Sequence, residues 1–333
     1  MKKLILMAGM ATVLGACGSQ KGADSNPFLS EYNTPFEVPP FDKIQLEHYK
    51  PAFMQGMEEE AKEVEAIANN PEAATFENTI VALDQSGKLI RKVSSVFYGQ
   101  NSADTSDEMQ EISRELSPLL SKHSDDISLN PKLFARVKAV HDQMEELSLN
   151  KEQRKLVEET YKSFVRNGAN LDSASQERLR ELNSEIDMLQ LTFGQNMLKE
   201  TNAFQLVVDK KEDLAGLPET LIANAAETAK EAGMEGKWVF TLHNPSVMPF
   251  LQYAENRDLR EKIFKAYINR GNNGNESDNK EVVKRLVTAR LEKARLMGYD
   301  NYAEFVLEER MAKHAENVYN LLDQIWTPAL AKA

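Results

Sequence analysis

Apolar residues recur every three or four positions along most of this chain, and this spacing predicts amphipathic helices. The clearest stretch is formed by Phe76, Ile80, Leu83, Ile90, Val93 and Phe97. Residues that favour helix N-caps precede several such runs: Thr75, Ser106, Asn130, Asn150 and Asp172. Gly168 predicts the end of one helix, because glycine readily adopts the left-handed conformation that follows a last turn. The chain is therefore predicted to be mainly α.

Two short segments interrupt the helical period. Residues 204–208 and 237–242 are rich in strand formers and are bounded by turn residues. Between them, residues 218–232 are predicted to form a helix that ends at Gly233. We expect one small two-stranded β element beside this helix. Further helices are predicted over residues 257–270, 281–297 and 303–333.

A segment rich in prolines and aromatic residues precedes the helices, over residues 26–51. The residue before a proline favours extended backbone, so repeated prolines predict an extended segment. Its phenylalanines, Phe28, Phe36 and Phe41, are expected to pack on the helical body.

The first residues have the pattern of a bacterial lipoprotein signal. Lys2 and Lys3 precede a short apolar run, which ends in a Leu-Gly-Ala-Cys sequence at Cys17. We predict a signal peptide over residues 1–16, lipidation of Cys17 and a flexible tether over residues 17–25. This predicts a lipid-anchored protein of the bacterial cell envelope. The alternative is a chance cysteine in an ordinary signal peptide.

Composition limits the classes of function. The chain has a formal net charge of -12, which argues against nucleic-acid binding because such binding needs a basic surface. Cys17 is the only cysteine, so neither a disulfide framework nor a cysteine-based metal site is predicted. The loop over residues 271–275 does not have the spacing of an EF-hand, so calcium is not expected.

The histidines do not form a zinc motif. They are His48, His123, His141, His243 and His314. No glutamate follows any of them, so the sequence contains no H-E-x-x-H, the helical pair of histidines that holds zinc in many peptidases. Each histidine is expected to be structural or exposed. We therefore assign no catalytic and no metal-binding residue to this chain, and no individual substrate contact.

A series of short segments nevertheless resembles one enzyme family. The segments are Asn26–Leu29, Phe41–Ile44, Thr75–Ile80, Asn130–Val137, Leu206–Asp209, Glu235–Trp238 and Leu296–Tyr299. In order and spacing they resemble the peptidyl-dipeptidase branch of the thimet oligopeptidase family of zinc metallopeptidases. The resemblance covers nearly all of the chain after the tether.

The resemblance implies a helical, ellipsoidal protein with a deep channel between two halves. Zinc lies in the C-terminal half of such enzymes, held by H-E-x-x-H and a further glutamate, and the branch releases dipeptides from the C-termini of short peptides. Here it implies a helical N-terminal region over residues 26–203 and a second region with the β element over residues 204–333. This chain would form the channel wall, need the zinc-binding half as its partner, and be inactive alone.

Two other interpretations were weighed from the sequence. One is a stand-alone helical lipoprotein that binds peptides or a protein partner without catalysis. The other, a solute-binding lipoprotein, is disfavoured because such proteins need alternating strands and helices.

The last residues are unusually apolar. Residues 325–333 lack a glycine cap and a polar tail, a pattern that predicts a helix cut off within a larger fold. Exposed apolar surface is expected around Phe305, Val306, Leu321, Leu322, Ile325 and Trp326.

Overall fold

The computed structural model describes residues 26–332, and most of these are helical. The helices are α1 Leu46–Ala68, α2 Ala82–Gln85, α3 Lys88–Ala103, α4 Asp107–Ser128, α5 Pro131–Asp142, α6 Lys151–Arg166, α7 Ser173–Ala203, α8 Glu219–Glu231, α9 Asn244–Tyr253, α10 Arg257–Ile268, α11 Lys280–Leu296, α12 Tyr302–Leu307 and α13 Ala315–Lys332. The strands are β1 Leu206–Val208 and β2 Trp238–Phe240. The predicted fold, mainly α with a two-stranded β element, is confirmed. The predicted signal peptide and Cys17 lie outside the described residues.

Side-chain caps start the helices where the sequence predicted them. The Asn130 carboxamide oxygen accepts from the backbone N–H groups of Lys132 and Leu133, at 3.0 and 3.1 Å. Gly168 follows α6 with a φ of 91°, which a side chain rarely adopts. A Cβ on this glycine would lie 2.4 Å from a methyl carbon of Leu179, so α6 and α7 can meet there only through glycine.

The strands form an antiparallel pair in which Leu206 faces Phe240. Both side chains are fully buried, in an apolar cluster that also takes in Phe250 and Ile263. The cluster is built from the strands and α8 to α10. Of these elements, α9 was not predicted from the sequence.

Two more clusters form around α1. Near its start, the rings of Tyr49 and Phe53 pack edge-on against Phe97 of α3, at 5.0 and 5.6 Å between centroids. Near its end, α1 packs with α5 and α6 around the buried side chains of Leu133 and Val157. α1 therefore connects two parts of the N-terminal core.

Helix α7 lies between the N-terminal helices and α11. It packs on α4 along one side and on α11 along another. Its buried residues Leu182, Ile186 and Leu189 meet Leu286 and Ala289 of α11. Among the described helices, none is long and apolar enough to cross a membrane.

The N-terminal segment differs from the prediction. Phe28 is buried against α1 and α3, but Phe36 is 99% exposed and Phe41 is 49% exposed. The expectation that all three phenylalanines pack on the body is therefore wrong for two of them. The difference coincides with a local feature, because the turn over Pro35–Glu37 places Phe36 and Glu37 at positive φ.

The C-terminal segment also differs in part. The single helix predicted over residues 303–333 is divided into α12 and α13, and Lys313 between them has a φ of 59°. Leu321, Leu322, Ile325 and Trp326 on α13 are each more than half exposed, as expected. Phe305 and Val306 are instead half-buried, because α12 packs against α11.

Candidate functional site

The histidines lie in separate parts of the fold. Each one either makes a local structural contact or is exposed to solvent. His48 accepts from the backbone N–H of Gln45 at the start of α1, and His243 contacts the hydroxyl of Thr241. The ring of His141 stacks on Tyr161 at 3.9 Å. Over residues 26–332, no cluster of three or more His, Cys, Asp or Glu side chains is arranged to hold a metal ion.

His123 is the histidine most nearly suited to acid–base chemistry. Its Nε2 lies 2.7 Å from a carboxylate oxygen of Glu60, and both side chains are largely buried. A carboxylate that orients a histidine is one part of a catalytic base. The ring makes no other side-chain hydrogen bond among the described residues, so the geometry shows an oriented histidine without a nucleophile beside it.

The surroundings of Glu60 favour a structural role for this pair. The backbone N–H of Gly87, at the start of α3, donates to Glu63 at 2.8 Å. A Cβ on Gly87 would lie 2.3 Å from a Glu60 oxygen, so the carboxylate sits directly against the helix start. Anionic groups are favoured there by the helix dipole. His123 and the two glutamates thus join α4, α1 and α3.

Grooves lie on both sides of His123. One, of about 530 Å³, is lined by Asn69, Asp126 and Arg180, and the other, of about 720 Å³, by Met54 and Lys122. Arg180 donates to Asp126 at 2.9 Å across the first groove. The walls combine apolar side chains with groups of both signs of charge, so they can contact an apolar side chain and also hydrogen-bond a polar chain.

A partly buried polar chain joins α4, α7 and α11. The Lys293 ammonium donates to the Asn183 oxygen at 2.6 Å, and the Asn183 amide donates to Asp125 at 2.7 Å. Burial lowers the pKa of Lys293, although the negative charges of Asp187 and Asp125 act to raise it. Burial also raises the pKa of Asp125, although the Asn183 hydrogen bond and nearby cations act to lower it. Sequence reasoning missed this chain because its members are far apart in sequence.

Next to it, a cleft of about 340 Å³ opens between α3, α4 and α7. Hydroxyl groups of Ser113, Ser117 and Tyr98 line it, together with the carboxylate of Asp187. Burial and the charge of Asp187 raise the pKa of Tyr98, so its hydroxyl stays protonated and can donate. The cleft therefore offers several hydrogen-bonding groups to a polar ligand.

The loop between α10 and α11 is fixed by one carboxylate. Glu200, 9% exposed, accepts from the backbone N–H of Gly271 and from the side-chain amides of Asn273 and Asn275. Burial acts to raise the pKa of Glu200, but these hydrogen bonds outweigh it, so the pKa lies below its ordinary value. The loop is thus a rigid connection.

Arg166 at the end of α6 holds the segment that follows α11. Its guanidinium donates to the backbone oxygen of Phe305 at 2.6 Å and lies over that ring at 4.5 Å. It also contacts the hydroxyl of Tyr299 at 3.3 Å. Beyond this fixed point, α13 exposes an apolar face that includes Tyr319 and Trp326, 64% and 62% exposed.

Comparison with known proteins identifies peptidases. The model of Peptidase family M3 matches residues 250–332. The dipeptidyl carboxypeptidase of Escherichia coli K12 is 39% identical over 308 residues, which are 92% of this chain and 45% of that protein. Oligopeptidase A of Haemophilus influenzae is 30% identical over 305 residues, 90% of this chain and 44% of that protein. The thimet-like oligopeptidase of Dictyostelium discoideum is 25% identical over 286 residues, 84% of this chain and 41% of that protein.

The chain thus spans about half the length of the curated relatives it matches. The resemblance to this peptidase family, predicted from short segments, is confirmed along most of the chain. The relatives are metallopeptidases.

Proposed function

We propose that this relative of the family M3 peptidases forms one wall of the peptide channel of a zinc-dependent peptidase. The observation that carries the proposal is the 39% identity to a dipeptidyl carboxypeptidase over 92% of this chain. The similarity is not confined to one element, since it extends over 308 residues. On this proposal, the helices of this chain supply the part of the channel surface that lies in the matched portion of the relative.

Residues 26–332 do not offer a site that fits the zinc ion of the proposed enzyme. The best oriented donor pair, His123 and Glu60, is joined to the start of α3 and has no third ligand beside it within residues 26–332. Zinc sites need three or four such ligands in tetrahedral geometry. We infer that the metal and the catalytic glutamate are supplied by a separate zinc-binding portion, and that this chain alone does not hydrolyse peptides.

The proposed substrates are short peptides, from which the assembled enzyme would release C-terminal dipeptides. The name of the E. coli relative supports this choice. The grooves beside His123 and the cleft at Asp187 contain groups that can hydrogen-bond a peptide backbone. The role of these residues is binding and orientation.

The test is assembly in trans. The chain is mixed with the C-terminal portion of the E. coli dipeptidyl carboxypeptidase, and dipeptide release from short peptides is followed by mass spectrometry with and without a chelator. We expect zinc-dependent release from the mixture and none from either part alone. Chelator-sensitive release by this chain alone would overturn the assignment of the metal to another portion.

A second candidate is a non-catalytic lipoprotein that binds peptides or a protein partner. The hydroxyl-lined cleft at Tyr98 and Asp187 is the observation that favours it. Binding of short peptides to the chain alone can be measured by calorimetry. Binding that is abolished by Asp187→Leu and is unchanged by the added C-terminal portion would support this function over the first.

We also propose that Cys17 carries lipid and anchors the protein in the cell envelope. The support is the sequence pattern of two lysines, a short apolar run and Leu-Gly-Ala-Cys. Mass spectrometry of the membrane fraction should find a lipidated N-terminal Cys17. An unmodified Cys17 in a chain that remains in the soluble fraction would contradict the proposal.

A further inference from the structure

The loop over residues 34–41, here called the aromatic loop, exposes apolar side chains to solvent. Phe36 is 99% exposed, Phe41 49% and Val38 48%. Single exposed apolar residues are common on protein surfaces, but three on one short loop form a local patch.

The aromatic loop is fixed to the body at both ends. Before it, Phe28 is buried, and the Lys92 ammonium donates to the Phe28 carbonyl at 3.0 Å. After it, Ile44 is buried just before α1 begins. Within it, the Thr34 hydroxyl donates to the Val38 carbonyl and closes the turn. Phe36 is therefore held outward by a closed turn.

The backbone of the turn is strained. Phe36 and Glu37 have φ values of 58° and 56°, in a region that residues with a side chain rarely adopt. Among residues 26–332, nothing buries Phe36 in this conformation. Strained residues that are kept without a packing gain point to a function outside the fold.

The first described residue lies beside the aromatic loop. Asn26, the first described residue, lines the same cavity as Thr34 and Pro40. Residues 17–25 can span at most about 30 Å, since an extended chain covers about 3.3–3.6 Å per residue. A lipid on Cys17 would therefore hold Asn26, and the aromatic loop beside it, within reach of the bilayer surface.

We propose that the aromatic loop inserts Phe36 and Phe41 into the interfacial region of the bilayer, as a second membrane contact that orients the protein. This inference rests on the proposed anchoring at Cys17. Aromatic side chains suit that region of the membrane. The neighbouring charges are mostly acidic, with Glu37 and Asp42 beside Lys43, so the contact is apolar and the ligand is zwitterionic phospholipid.

The test uses the single cysteine as a tether that does not depend on natural lipidation. The whole chain is coupled through Cys17 to a maleimide phospholipid in phosphatidylcholine vesicles. Tryptophan is placed in the aromatic loop by Phe36→Trp, and quenching by brominated phosphatidylcholine is compared with that of the parent chain. The matched control is Met311→Trp, because Met311 is 100% exposed and lies in the connection between α12 and α13.

We expect Phe36→Trp to show at least twofold more bromine quenching than the parent, and Met311→Trp to show no increase. Equal quenching of the two variants, or none at Phe36→Trp, would overturn the proposal. A blue shift of Phe36→Trp on addition of the C-terminal peptidase portion, without bromine quenching, would also overturn it, by showing that protein covers the loop.

A second variant keeps the test independent of the tryptophan probe. Phe36→Asp should weaken vesicle partitioning of the uncoupled chain on the order of tenfold, since an aromatic contact is lost, whereas Met311→Asp should not. Circular dichroism checks that both variants fold. The two proposals can fail separately. If Cys17 is unmodified in cells but the coupled Phe36→Trp chain is still quenched, the proposed lipid anchor is wrong and the membrane contact of the loop is supported.

Discussion

Replacement of Glu200 by glutamine should destabilise the protein in a pH-dependent way. One carboxylate oxygen accepts from Gly271 and Asn273, and the other from the Asn275 amide. In Glu200→Gln, the new NH2 group would face the NH2 group of Asn275. The Asn275 amide is not free to flip, because its oxygen already accepts from the backbone N–H of Ser277 at 3.0 Å. One hydrogen bond is lost and the remaining two lose their charge assistance, so the free energy of unfolding should fall by roughly 2–3 kcal/mol at pH 7.

The pH dependence gives the prediction its specific signature. The folded pKa of Glu200 lies below the ordinary value of 4.5, so the ionised carboxylate stabilises the fold above that pH. This contribution is lost as the pH falls through the folded pKa, where the wild type becomes protonated like the variant. The difference between the two proteins should therefore shrink at acidic pH. Asp278 in the same loop does not obscure this, because its hydrogen bonds with Lys280 and Gly274 lower its pKa to about 2.

Urea unfolding at pH 7 and pH 3, followed by circular dichroism, measures both quantities. The matched control is Glu276→Gln in the same loop, since Glu276 is 76% exposed and pairs only with the exposed Lys199. It should change stability little at either pH. An equal loss of stability for Glu200→Gln at both pH values would refute the reasoning, because the effect would then not come from the ionised carboxylate.

Three further predictions concern packing. Gly168→Ala should lower the melting temperature, because its φ of 91° and the methyl of Leu179 exclude a Cβ. As a control, Gly194→Ala inside α7 should leave the melting temperature unchanged or raise it, because a Cβ there would meet open space. Leu182→Ala, at a fully buried position, should cost about 2–5 kcal/mol in urea unfolding. Trp326→Asp should reduce binding of a hydrophobic dye without loss of helicity, because Trp326 is 62% exposed; unchanged dye binding would place the apolar surface elsewhere.

The helices were predictable where their signal is local. Leu179, Leu182 and Ile186 mark one buried stripe of α7, and Asn130 marks the start of α5 through its own side chain. Helix α9 was missed although Pro245 stands in its first turn, where proline is favoured.

Features that depend on distant parts of the chain were not predictable in this way. The break at Lys313 is not marked by a glycine in the sequence. The exposed Phe36 lies in a turn with positive φ, which residues with a side chain rarely adopt. The polar chain from Lys293 to Asp125 depends on how α4, α7 and α11 meet, which no local pattern encodes. Cys17, the one site residue assigned from the sequence, remains a prediction.

The length of α7 has a consequence for motion in the proposed peptidase. At 1.5 Å per residue, Ser173–Ala203 extends about 45 Å. α11 is fastened along it, by Arg178 to Glu292, by Arg285 to Glu185 and by Asn196 to Asn279. Sliding or tilting α11 against α7 would break these contacts together. If the proposed channel opens and closes by a hinge, this helix pair should move as one rigid unit, and the bending residues should lie outside it.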